Sequence, residues 1–218
     1  MIAHVNDIDL YYEKSGEGLP LILVHGNGED HTIFDEAVEL LKQSFTCYCL
    51  DSRSHGKSSK VDVLHYQDMA DDVVAFIKDQ DLRDVVFYGF SDGGIIGLLS
   101  SAACDRISTL IVSGANITPD GVKPSLKLLF KVIRFFTKDP KIDLMLNEPH
   151  ISNEMLGSIK ARTLVLAGSK DLVVETETRH IAAKIPGAEL RILEGEGHGS
   201  YIVHKTKIGE IIRDFVSG

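Results

Sequence analysis

Ser91 stands in Gly89-Phe90-Ser91-Asp92-Gly93-Gly94, directly after the apolar run Val85-Val86-Phe87-Tyr88 and directly before Ile95-Ile96-Gly97-Leu98-Leu99. An apolar strand followed by an apolar helix puts this serine on the turn between them. Such a turn strains the serine backbone and crowds the positions two before and two after it, so Gly89 and Gly93 must lack side chains. The helix N-terminus also leaves N–H groups free beside the hydroxyl. A hydroxyl used as a nucleophile needs a base for its proton, and the base needs a carboxylate to fix its tautomer. His198, in Gly195-Glu196-Gly197-His198-Gly199, follows a strand ending near Leu193. Asp171, in Gly168-Ser169-Lys170-Asp171, follows one ending near Ala167, and Asp120 is the reserve acid after the preceding strand. Val24-His25-Gly26-Asn27-Gly28 closes the first central strand, where a backbone N–H could hold an oxyanion.

The elements that must position these residues alternate. Asn6-Asp7 is a turn dipeptide between Met1 to Val5 and Ile8 to Tyr12, predicting an opening antiparallel hairpin. Leu21-Ile22-Leu23-Val24 is wholly apolar, as a central parallel strand is. Helices are predicted near 33–43, with Thr32 and Asp35 as a capping box, and near 66–78, 92–102, 175–184 and 205–216. Strands fall near 46–50, 85–88, 109–112, 163–166 and 189–193. This alternation predicts an α/β fold, a mostly parallel sheet with helices on both faces and active-site residues beyond the C-terminal strand ends. Residues 116–158 break the rhythm, being helical without a strand, and read as a small lid inserted into a single domain spanning 1–218. Lys127, Lys131, Arg134 and Lys138 share one helical face of the lid, leaving a wide apolar surface that includes Phe130 and Ile133. That surface suits packing on the core or lining an acyl or alkyl pocket.

The order serine, acid, histidine, each after a strand, resembles the α/β-hydrolase fold family over nearly the whole chain. The resemblance implies Ser91 as nucleophile, Asp171 as acid and His198 as general base. It also implies an oxyanion hole made by the backbone N–H groups of Asn27 and Asp92. Asp51-Ser52-Arg53-Ser54-His55-Gly56-Lys57-Ser58 is similar to the family's D-x-R-G-H-G-x-S loop, with Ser54 where glycine is usual. Gly-Phe-Ser-Asp-Gly-Gly followed by Ser113-Gly114-Ala115-Asn116 is similar to the biphenyl hydrolase-like (valacyclovir hydrolase) branch. In that branch the resemblance implies that the aspartate after the nucleophile, here Asp92, can meet the α-amino group of an amino-acid ester. From its position alone, Asp92 reads first as the cap of the helix it begins.

The expected function is therefore a serine hydrolase of small carboxylic esters, with amino-acid esters and activated amides inside the class, needing no cofactor. Two alternatives share these residues: a small-molecule sensor with slow or single turnover, and a carbon–carbon hydrolase or perhydrolase of the same family. His25 and His55 read as residues that order their loops. The other histidines have neither metal-site spacing nor cysteine partners, so no metal site is expected. A net charge of −9 without a basic run argues against nucleic-acid and anionic-membrane partners. The first residues lack a basic, then apolar, leader, and Cys47, Cys49 and Cys104 read as reduced and buried, so the cytoplasm is the expected compartment. The sequence sets no oligomeric state.

Overall fold

The computed structural model describes residues 1–218. Its sheet has eight strands in the order β1-β2-β4-β3-β5-β6-β7-β8: β1 Ile2–Val5, β2 Ile8–Ser15, β3 Leu19–Val24, β4 Phe45–Leu50, β5 Val85–Phe90, β6 Ile107–Ser113, β7 Arg162–Lys170 and β8 Glu189–Gly197. The β1–β2 and β2–β4 pairs are antiparallel and every later pair is parallel. The predicted hairpin forms because Asn6 and Asp7 both take positive φ, 45° and 62°, as a two-residue hairpin turn demands.

Alternation along the central strands assigns their two faces. Leu21, Leu23, Cys47, Cys49, Val86 and Tyr88 pack with α1 (Asp35–Leu41) and α8 (Lys207–Ser217). Ile22, Val24, Tyr48, Val85 and Phe87 pack on the other side with α2 (Tyr66–Asp79) and α3 (Asp92–Ala103). Every residue of β5 is buried, and each such large apolar side chain contributes about 1.5–3 kcal/mol when withdrawn from water. The strand carrying Ser91 at its end is thus clamped from both faces. The three cysteines are free and buried.

Several boundaries differ from those predicted. The expected helix near residue 33 opens as a 3₁₀ turn, His31–Phe34, before α1, and its cap is Asp30, whose carboxylate accepts the Thr32 N–H, rather than a Thr32/Asp35 box. Strands β7 and β8 run past their apolar stretches because parallel pairing continues into the polar residues beyond.

Between β6 and β7 the chain forms α4 (Pro124–Thr137), α5 (Pro140–Asn147) and α6 (Asn153–Ser158), followed by α7 (Glu175–Lys184) after β7. No residue of α4 is fully buried. Its inner side faces the sheet's C-terminal edge, while Leu128, Leu129, Val132, Phe135 and Phe136 are exposed. No helix is long and apolar enough to cross a membrane.

Candidate active site

Ser91 is the residue between β5 and α3, with φ 54° and ψ −114°, a conformation costly for any side-chain-bearing residue. Its neighbours explain why the turn closes at all. A Cβ on Gly89 would lie 2.0 Å from the Gly93 carbonyl oxygen, and one on Gly93 would lie 2.1 Å from that of Val24. The Ser91 N–H donates to Ser113 O at 2.8 Å, and the Gly93 N–H donates to His25 O at 3.1 Å. These bonds tie the turn to the ends of two neighbouring strands.

Three strand ends converge here. His198 Nε2 is 3.0 Å from Ser91 Oγ, and His198 Nδ1 is 2.6 Å from Asp171 Oδ1. The carboxylate can only accept, so Nδ1 carries the proton and Nε2 is free to accept from the hydroxyl. Asp171 is 3 % exposed. Burial pushes its pKa up, but the hydrogen bonds from His198 and from the Val173 and Gly168 amides outweigh it, and the net shift is downward. The buried acid therefore stays ionised, as a group bracing an imidazolium must. The ring of Phe90 packs on that of His198 with centroids 4.9 Å apart. Beneath it Gly114, at φ 61°, has no side chain to displace the imidazole: a Cβ there would lie 2.7 Å from His198 Cε1.

On the opposite side lies the loop after β3. His25 Nδ1 donates to Gly26 O at 2.7 Å, and its Nε2 accepts the Ser52 N–H at 3.1 Å, so His25 orders this loop as expected. Burial, followed by the charge of His55, lowers its pKa to about 4 and keeps it neutral. Asn27 donates its side-chain amide to Asp92 Oδ2 at 2.9 Å. The backbone N–H groups of Asn27 and Asp92 have no protein acceptor, and both residues line the same cavity as Ser91.

That cavity has a volume of about 330 Å³. Phe90, Val122, Leu126, Phe130, Ile142, Met145, Leu172 and Val173 form its apolar wall, while Glu29, Asp92, Asn116 and Glu148 form much of the polar one. Asp92 is 5 % exposed, and burial raises its pKa against the lowering effect of hydrogen bonds from Asn27 and Tyr66.

Residues 21–149 match a family model described as the alpha/beta hydrolase family. The chain belongs to that family. It is 28% identical to the AB hydrolase superfamily protein YisY of Bacillus subtilis (strain 168), over 95% of each chain. It is 24% identical to serine hydrolase BPHL of Mus musculus, over 97% of this chain and 84% of that one. The solved enol-lactonase from Burkholderia xenovorans LB400 superposes with a TM-score of 0.82 at 20% identity, covering 100% of both chains, a likeness of fold. The hydrolase family and the mostly parallel sheet expected from the sequence are thus both shown.

Of the residues singled out in the sequence, Ser91, Asp171, His198, Asn27 and Asp92 come together, and Phe130 lines the cavity from α4. Ile133 is not among the lining residues; Phe130 one turn earlier and Leu126 two turns earlier face the cavity from α4. Asp120 is exposed and paired with Lys127, away from the imidazole. Asp51, Asp30 and His31 are close enough together to suggest a metal, but their atoms serve the loop. Asp51 accepts from the His31 N–H, the His31 ring and the Lys57 N–H, and Asp30 accepts from Thr32. Sequence reasoning missed Glu29, Tyr66 and Glu148, and quoted Gly114 only as part of a motif, without its contact to the imidazole. Only Gly114 gave a signal, as a glycine directly after a strand end.

Proposed function

We propose that this family member is a serine hydrolase that cleaves small carboxylic esters through an acyl-enzyme. The observation that supports the reading is the hydrogen-bonded line from Asp171 through His198 to Ser91, 2.6 and 3.0 Å, opening into a half-apolar cavity of about 330 Å³. In this mechanism Ser91 Oγ attacks the ester carbonyl carbon as His198 Nε2 takes the hydroxyl proton. The carbonyl oxygen becomes an oxyanion between the Asn27 and Asp92 N–H groups, an interaction worth about 10²–10³ in rate per donor in comparable sites. His198 then protonates the departing alcohol. Water, deprotonated by the same nitrogen, attacks the acyl-enzyme and releases the acid. Asp171 keeps the ring in the tautomer that both steps use. The apolar wall with Phe130 receives the acyl or alkyl group, and residues 1–218 act as one hydrolase domain with its lid at 116–158.

Ser91→Ala tests this directly. It should abolish multiple turnover of a short-chain nitrophenyl ester and labelling by a fluorophosphonate probe. Unchanged turnover in the alanine variant would reject the assignment, and a single product per chain from the unaltered protein would favour a sensor instead.

A further inference from the structure

Exposed apolar side chains are gathered on one helix. Of the ten large ones exposed anywhere on the molecule, five belong to α4: Leu128, Leu129, Val132, Phe135 and Phe136. Their helical spacing places them on one outward stripe. Phe135 and Phe136 are the most exposed of all, at 79 % and 77 %, with their rings at right angles and centroids 5.2 Å apart. Apolar residues scattered singly over a surface need no explanation, but a contiguous set marks a contact surface.

Charge is segregated on the same helix. From Gly121 to Lys138 there are five cations, Lys123, Lys127, Lys131, Arg134 and Lys138, and no acid. Lys127 pairs with Asp120 and Arg134 with Asp143, while Lys123, Lys131 and Lys138 are exposed and make no ion pair. Residues 120–143, with six lysines and arginines against three aspartates, carry +3 in a chain of net −9. The chain total argues against an anionic membrane, but a surface meets only the charges that face it. Salt hides those farther off than about 8 Å.

We propose that α4 is an interfacial helix that seats the lid on an anionic lipid surface. Phe135 and Phe136 enter the headgroup layer with the aliphatic residues of the stripe, and Lys123, Lys131 and Lys138 meet lipid phosphates. With 14 residues, α4 lies on a bilayer rather than crossing it. Charge complementarity names an anionic partner, and the stripe favours lipid over protein. It has no donor or acceptor among its five side chains, whereas protein interfaces carry about one hydrogen bond per 100–200 Å². A second copy, meeting this face about a two-fold axis, would set cationic stripe beside cationic stripe. Leu126 and Phe130 wall the cavity from the inner side of the same helix, so docking puts cavity and lipid on opposite sides of α4.

The experiment sediments the full chain with vesicles of phosphatidylcholine alone and of phosphatidylcholine mixed with phosphatidylglycerol, at low and high salt. The expected result is binding to the anionic vesicles over the neutral ones, weakened by salt. Phe135→Ser/Phe136→Ser should weaken it at least about tenfold for each ring removed, and Lys131→Gln/Lys138→Gln about fivefold for each charge. All four side chains are exposed, so both variants should melt with the parent, and the lipid and salt arms need no variant. Absence of binding to the anionic vesicles would overturn the proposal and leave an acidic protein as the occupant. Equal binding to both kinds of vesicle, or binding kept by both double variants, would overturn it too. So would light scattering showing a dimer that the phenylalanine variant dissolves, with no vesicle bound. Sedimentation requires no ester cleavage, so each of these failures leaves the hydrolase reading standing.

Discussion

Gly114→Ala should show how finely the imidazole is placed. The added methyl would sit 2.7 Å from His198 Cε1 and 2.9 Å from Nδ1, with Asp171 Oδ2 at 3.4 Å on its far side. Ordinary contact between carbon atoms is about 3.5–4.0 Å, so the ring must retreat by about 0.8 Å or more. A ring displaced by that much cannot keep both of its bonds, 3.0 Å to Ser91 and 2.6 Å to Asp171, at their resting geometry. A misplacement of this size lowers rate by about 10²-fold, and the loss should fall on kcat because ester binding in the apolar wall is untouched. Stability suffers from two sources: about 1–2 kcal/mol for alanine in the left-handed region and about 1–3 kcal/mol for overpacking. In a chain of this length the sum lowers Tm by roughly 10 °C.

Gly187→Ala separates the two sources, because Gly187 also has positive φ, 71°, with nothing within 4 Å of its would-be Cβ. It should pay the strain alone and keep full activity. Steady-state kinetics on a short-chain nitrophenyl ester and thermal melts of both variants provide the assay. If Gly114→Ala kept a kcat within about twofold of the parent, or Gly187→Ala lost as much as Gly114→Ala, the steric reasoning would be refuted.

Three further outcomes follow from buried groups. Arg53, 9 % exposed, grips both oxygens of Asp72, 1 % exposed, each at 2.7 Å. Arg53→Met strands that carboxylate and should cost about 3–5 kcal/mol in urea denaturation, while the double variant Arg53→Met/Asp72→Leu should recover much of it; no recovery would show that packing, not the stranded charge, set the loss. His25 has its pKa lowered from 6.5 to about 4, so the folded state binds fewer protons than the unfolded chain between those values. Its neutral form contributes stability above pH 6.5 that is lost as pH falls toward 4, at up to about 1.4 kcal/mol per pH unit. The stability–pH slope in that window should be shallower in His25→Asn, and equal slopes would contradict the buried neutral imidazole. Gly93→Ala sets a methyl 2.1 Å from the Val24 carbonyl oxygen, backbone against backbone with no flexible end to yield. It should cost more than about 4 kcal/mol, and a melt within a few degrees of the parent would exclude a rigid turn.

The sequence by itself determined what depends on near neighbours in the chain. Ser91 between Gly89 and Gly93 is legible because the turn's sterics involve residues two apart, and the fully apolar β5 and alternating Asn6-Asp7 hairpin declare their elements in the same local way. The strand-helix rhythm extended this to the ends of β7 and β8, which is why Asp171 and His198 could be named before any distance was measured. Tertiary structure alone decided which groups share the cavity. Glu29 comes from the loop after β3, Tyr66 from the start of α2, and Glu148 from the lid directly after α5. No spacing rule connects them. Their proximity follows from the parallel register that gathers the strand ends and from the seating of α4 and α5 over that edge. It also settled that Leu126 and Phe130, rather than Ile133, line the cavity: a wide apolar helix face states that something is covered, while the angle of docking selects which residues do the covering.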